Sequence, residues 1–140
     1  MIVLDTNVVS ELVRPAPAPA VLAWLDRQPH HRLAITAVTA AELLYGVARL
    51  PAGNRRALLG EQIMAVVQVD FADRVLPFDL AAAEHFADLV ADRDHVGRPI
   101  SQADAQIAAT CRSTGARLAT RNVKDFADTG VEVENPWDPA

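Results

Sequence analysis

Asp5, Glu42, Asp104 and Asp125 are the residues of this chain whose type and setting could do chemistry. Asp5 ends a short apolar run, Ile2-Val3-Leu4, that reads as a buried strand. In open α/β sheets, ligands bind beyond the carboxyl ends of the strands, so a carboxylate at that point is placed to act. Glu42 follows Thr39 by three residues, Asp104 follows Ser101 by three, and Asp125 follows Asn122 by three. Each pair fits a capping box, in which side chain and acid satisfy each other's backbone donors at a helix start. Glu42 and Asp104 also fit a site in which the acids converge on Asp5. Asp104 shares a helical stripe with Ile107, Ala108 and Cys111, where a surface capping acid is not expected. No Lys or Arg lies within a turn on that face to pair it, and an unpaired buried carboxylate is costly. Gly46 lies four residues after Glu42, inside a good helix pattern, where it costs about 1 kcal/mol relative to alanine. It points to close packing there, from a site or from a tight helix crossing.

A cluster of Asp5, Glu42 and Asp104 has a definite chemistry. Two carboxylates ~4 Å apart repel by up to ~4 kcal/mol at an effective dielectric near 20. They therefore take up protons or hold a cation. Carboxylate oxygens without His or Cys partners favour a hard ion, Mg²⁺ or Mn²⁺. Such ions activate water and stabilise the leaving oxygen in phosphodiester hydrolysis. Thr6, Thr120 and Asn122 are then residues that position a carboxylate or a water. Arg121, beside Thr120 and Asn122, is the best placed arginine to meet a phosphate.

The elements that must position these residues alternate between strand and helix. Strands are expected at Ile2-Val3-Leu4, Leu33 to Thr36, Val75 to Phe78 and Leu118 to Thr120, with a fifth, short one at Val131 to Val133. Helices are expected after Asp5 through Val13, from Val21 to Leu25, from Thr39 to about Leu50, and from Arg55 to about Val67. Two more run from Asp79 to about Arg93 and from Ser101 to about Ser113, where Gly115 ends the helix. The segment Val66 to Phe71 reads equally as a helix end or a strand start. Pro15 to Pro19 is a stiff connector too short to link domains. This alternation predicts a parallel sheet covered on both faces, within a single domain over residues 1–140.

Composition narrows the function classes. The chain is 51% hydrophobic, which excludes a disordered protein, and only 5% aromatic, which argues against rows of base-stacking rings. Its 13 basic and 18 acidic residues give a net charge of −5, which argues against holding nucleic acid by bulk charge. Lys124 is its only lysine. Cys111 is the single cysteine, which excludes an intramolecular disulfide or a cysteine-built zinc site and reads as a core filler. No run approaches the ~18 apolar residues of a membrane span, and the N-terminus lacks a basic signal region. A soluble, cytoplasmic protein with no membrane partner is expected. His30-His31 reads as a loop rather than a metal pair, since adjacent residues do not share a helix face.

Four segments in order resemble PIN-domain ribonucleases: Met1-Ile2-Val3-Leu4-Asp5-Thr6-Asn7, Thr39 to Gly46, Asp104 to Ala109, and Thr120 to Phe126. Their spacing resembles the VapC toxins of bacterial toxin–antitoxin pairs, especially the FitB-like branch, as does the closing Asn135-Pro136-Trp137. The resemblance covers essentially the whole chain. It implies a PIN-like three-layer α/β/α sandwich with a central parallel sheet of four to five strands. It implies an Mg²⁺- or Mn²⁺-dependent endoribonuclease, the toxin of a type II system, with RNA as substrate, a VapB-type antitoxin as partner, and a homodimer. Carried over, Asp5 and Asp104 are metal ligands, and Glu42 is a ligand or a base acting through water. Many relatives have an aspartate where this chain has Asn122, so Asn122 or Asp125 fills the fourth position. Thr6, Thr120, Arg121 and Asp125 support the site or bind substrate.

Two other classes fit the sequence less well. A haloacid-dehalogenase-type phosphatase needs a second acid at Asn7, and a phospho-receiver domain needs an acid pair after the first strand. Both lack their key residue. A non-catalytic PIN-fold protein-binding module is the remaining alternative, favoured by Asn122 and opposed by the intact Asp5, Glu42 and Asp104. The leucine-rich stretch from Leu43 to Val67 fits either a core face or a groove for a partner helix.

Overall fold

The structure, a computed structural model, describes residues 1–138, so the last two residues of the expected domain lie outside the described residues. Five strands form one parallel sheet in the order β3-β2-β1-β4-β5: β1 Ile2–Leu4, β2 Leu33–Thr36, β3 Val75–Leu76, β4 Arg117–Ala119 and β5 Val133–Glu134. Strand order reverses between β1 and β4, and the carboxyl ends of that pair flank the crevice where such sheets bind ligands.

Among the described residues, six helices cover the sheet: α1 Thr6–Leu12, α2 Pro19–Asp26, α3 Ala37–Ala48, α4 Asn54–Ala65, α5 Leu80–His95 and α6 Gln102–Thr114. The strands alternate in the way a sheet buried on both faces requires. Ile2, Leu4, Leu33, Ile35 and Ala119 join Val8, Val9, Trp24, Leu43 and Ile63 on one face. Val3, Ala34 and Leu118 join Leu89, Ile107, Ala108 and Phe126 on the other. These two cores make the expected α/β/α sandwich. Cys111 is fully buried in the second, where burial pushes its thiol up to about 12.

Local chemistry sets the boundaries. Helix α3 begins at Ala37 rather than Thr39, because the Thr36 hydroxyl accepts the Thr39 amide as the N-cap. Thr39 and Glu42 are therefore not a capping box. Ser101 does cap α6, accepting the Asp104 amide at 3.2 Å. Asp79 caps α5, and Gly115 closes α6 at φ 70°. Val66–Asp70 is neither strand nor α-helix but a π-helical turn, with the Phe71 amide bonded to the Val66 carbonyl. The wider turn lets Val66 and Val67 pack against the first core while Val69 faces solvent. The fifth strand falls two residues later than expected, where Val133 pairs with Leu118. Nothing lies within 4 Å of a Cβ built at Gly46, so no tight crossing explains it; the closer approach is Gly60 against Val47, at 3.4 Å. Among the described residues, no helix is long and apolar enough to cross a membrane.

Candidate active site

Strand β1 ends at Leu4, and Asp5 is both the next residue and the N-cap of α1. Asp5 is 4% exposed. Oδ1 accepts the Thr6 amide at 2.8 Å, and Oδ2 accepts the Thr120 hydroxyl at 2.7 Å, across the point where strand order reverses. Thr120 also accepts Asn7 Nδ2 at 3.2 Å and the Asn122 amide at 3.1 Å. Asn7 Oδ1 in turn accepts the Arg121 amide at 3.3 Å. One threonine hydroxyl and one asparagine thus tie the end of β1 to the loop after β4.

Glu42, on α3, is exposed, and it accepts the Thr6 hydroxyl at 2.6 Å. The Thr6 and Thr39 hydroxyls lie 3.1 Å apart, so Thr39 backs the residue that orients Glu42. Asp104 enters from the first turn of α6, half-buried. Asp5, Thr6, Asn7, Glu42, Asp104 and Asn122 open into one cleft of about 480 Å³. Asp125 does not line it, yet its charge is felt by Asp104.

The electrostatics are those of crowded acids. Burial pushes Asp5 up to about 6; the Thr120 and Thr6 hydrogen bonds oppose this, and Asp104 and Glu42 add to it. Asp104 is also raised, by burial first, with Asp125 and Glu42 adding to it and Ser101 and Arg93 opposing it. Arg93, expected only as the end of a helix, is a buried cation behind the site. It donates to the carbonyls of Arg98 at 2.6 Å, Asp125 at 3.0 Å and Ala127 at 2.8 Å, which fastens the loop after β4 to α5.

Among the described residues, no three His, Cys, Asp or Glu side chains are drawn together tightly enough to cage a metal by themselves. The donor set nonetheless fits a hard divalent ion: carboxylate oxygens only, mutually repelling and sharing one cleft. Mg²⁺ in particular keeps several waters and takes one or two carboxylates rather than an all-protein cage.

The sequence pattern found Asp5, Glu42, Asp104, Asn122, Thr6, Thr120 and Arg121, and the structure gathers them at one end of the sheet. Further residues line the same cleft, among them Asn7 and Glu11, which the sequence pattern gave no role, Arg14, one of several arginines able to meet a phosphate, and Trp137 of the closing motif. Asn7 sat inside a recognised motif without a role, and nothing in the local pattern marks Glu11. His30–Arg32 forms an exposed 3₁₀ turn away from the cleft, as a loop reading requires.

A parallel sheet with an acidic cleft at its switch point is the arrangement of a PIN domain, and the PIN domain family model matches residues 2–132. The chain is 46% identical to VapC ribonuclease Y4jK of Sinorhizobium fredii, with all of both chains covered. It is 40% identical to toxin FitB of Neisseria gonorrhoeae over 98% of this chain and 99% of that one. The solved FitAcB structure from the same organism superposes with a TM-score of 0.91 at 40% identity, covering 98% of this chain and 99% of that chain. A member of the VapBC family of toxin–antitoxin systems, VapBC-5 from Mycobacterium tuberculosis, superposes with a TM-score of 0.71 at 32% identity, covering 95% and 94%. The chain belongs to the PIN-domain family, in its VapC and FitB-like branch.

Proposed function

We propose that this protein is the toxin of a type II toxin–antitoxin pair, an Mg²⁺- or Mn²⁺-dependent endoribonuclease acting in the cytoplasm. The observation that carries the reading is the convergence of Asp5, Glu42 and Asp104 on one cleft, on a chain akin to VapC ribonucleases over its full length.

In this reading Asp5 and Asp104 would hold the divalent ion, with Glu42 as a further ligand or as a base acting through water, and the ion would supply a nucleophilic water at neutral pH and charge stabilisation for the leaving oxygen. Thr120 and the Thr6 amide hold the Asp5 carboxylate in one orientation. Thr6 fixes Glu42 Oε1, leaving Oε2 to accept a proton from the attacking water. That water's oxygen forms the new P–O bond as the bond to the leaving ribose oxygen breaks. Asn122, its amide held by Thr120, orients a water or a phosphate oxygen from the position where many relatives carry an acid. Asp125 acts from behind, through its charge on Asp104.

A second cleft of about 880 Å³ continues from the acidic one through Thr6 and Glu42, and is walled by Leu43, Tyr45, Leu58 and Ile63. Tyr45 is 66% exposed and Leu58 60%. An unpartnered apolar channel of this kind suits an amphipathic antitoxin segment running toward the acids. We assign a homodimer as the working form. The test of the whole reading is cleavage of total cellular RNA by antitoxin-free protein. Cleavage is expected with Mg²⁺ or Mn²⁺ and none in excess EDTA; full activity in EDTA contradicts the metal chemistry.

A further inference from the structure

We propose that Arg14 and Arg121 form a two-point phosphate clamp on the rim of the acidic cleft, and that Glu11 and Trp137 are the residues that position them. The inference rests on the endoribonuclease reading and deepens it. A chain of net charge −5 whose cleft gathers four acids repels a polyanion, so local cations must offset that field where the RNA enters. Arg14 and Arg121 are the two cations that line this cleft.

Each is held by a dedicated partner. The Arg121 guanidinium lies over the Trp137 ring, 5.0 Å from its centroid, while its amide is tied to Asn7. Trp137 reaches this position because β5 pairs with β4 and the Thr120 amide bonds the Glu134 carbonyl. The following turn, closed by Asn135 Oδ1 accepting the Trp137 amide, lays the indole beside the cleft with part of it packed on the first core. Arg14 Nη1 lies 3.1 and 3.3 Å from the two Glu11 oxygens. Glu11 is itself buried and accepts the Ala18 amide at 2.9 Å, which anchors it across the proline-rich connector. That amide, more than the two arginines, holds the Glu11 carboxyl below its usual range. With Nη1 occupied, the rest of the Arg14 fork remains to meet a phosphate, and its side chain is 64% exposed. A guanidinium held in advance loses less freedom on binding than a mobile one.

The test uses the full chain, a fluorescein-labelled single-stranded RNA oligonucleotide bound in EDTA across a KCl series, and cleavage of total cellular RNA with Mg²⁺. Arg14→Ala and Arg121→Ala are each expected to raise Kd and apparent KM roughly tenfold, as one charge-assisted contact would, with kcat within about twofold. Each should reduce the slope of log affinity against log salt by about 0.7, the share of one phosphate on a single strand. Arg121→Lys should keep the slope and still weaken binding, because lysine does not stack. Trp137→Leu should weaken binding several-fold with the slope kept, and Trp137→Phe should recover most of the loss; a merely structural tryptophan would lower the folded fraction instead, leaving Kd and KM of the folded protein unchanged. Wild-type Kd and salt slope in both alanine variants, with wild type cleaving RNA normally, would overturn the clamp and leave the endoribonuclease reading intact. Wild type that neither binds nor cleaves RNA would overturn both.

Discussion

For Asp5, the Thr120 hydroxyl and the Thr6 amide favour the charged form while burial opposes it, and burial wins. Its ordinary value of 3.8 is pushed to about 6, so the native state binds this proton more tightly than the unfolded chain. The contribution of Asp5 to stability is therefore fully present below pH 4 and is lost as pH rises through 6. That rise amounts to about 3 kcal/mol in the metal-free protein. Asp5→Asn should flatten that pH dependence and raise metal-free stability near pH 7, measured by denaturant unfolding, while abolishing cleavage. Thr120→Val removes the hydroxyl that lowers the Asp5 value, so Asp5 should titrate higher still by NMR, and cleavage should fall about 10- to 100-fold, as for other residues that orient a metal ligand. Asp5 was legible in the sequence because a carboxylate ending a buried strand is anomalous. The sequence offered Thr120 as a candidate by its place in a motif; its bond to Asp5 depends on β1 and β4 being neighbours, which no local pattern encodes.

At the scale of elements, the site is assembled from the ends of β1 and β4 and the starts of α1, α3 and α6. Strand and helix identity followed from periodicity, and the strand alternation that fills both cores made the sandwich readable. Boundaries were less legible where two polar residues compete to cap. At α3 both Thr36 and Thr39 are able to cap, and the extended backbone at Thr36, continuing β2, decides it. The reading of Gly46 as a packing contact failed because a glycine marks missing bulk without saying what lies opposite; here it opens onto the apolar cleft. Arg93 shows the same limit, since its three carbonyl partners come from segments 5 to 34 residues away. Arg93→Leu should strip those carbonyls of their donor and destabilise the protein by about 2–4 kcal/mol. Hydrogen exchange should report faster opening of residues 122–127 before the rest of the fold.

The whole molecule joins an acidic cleft to a larger apolar one, with Thr6, Ser10, Arg14 and Glu42 shared between them. A partner segment lying in the apolar channel would then end against the acids, which couples neutralisation to occupancy of the active site. Leu58→Arg places a charge in that channel away from the carboxylates. It should leave RNA cleavage intact and weaken inhibition by the cognate antitoxin, read as growth arrest that co-expression no longer relieves. The most direct measurement of the central claim is end-mapping of total cellular RNA treated with antitoxin-free protein and Mg²⁺, with Asp5→Asn beside it. Discrete new ends from wild type and none from Asp5→Asn are the predicted result. Equal cleavage by both proteins would contradict an active site built on Asp5.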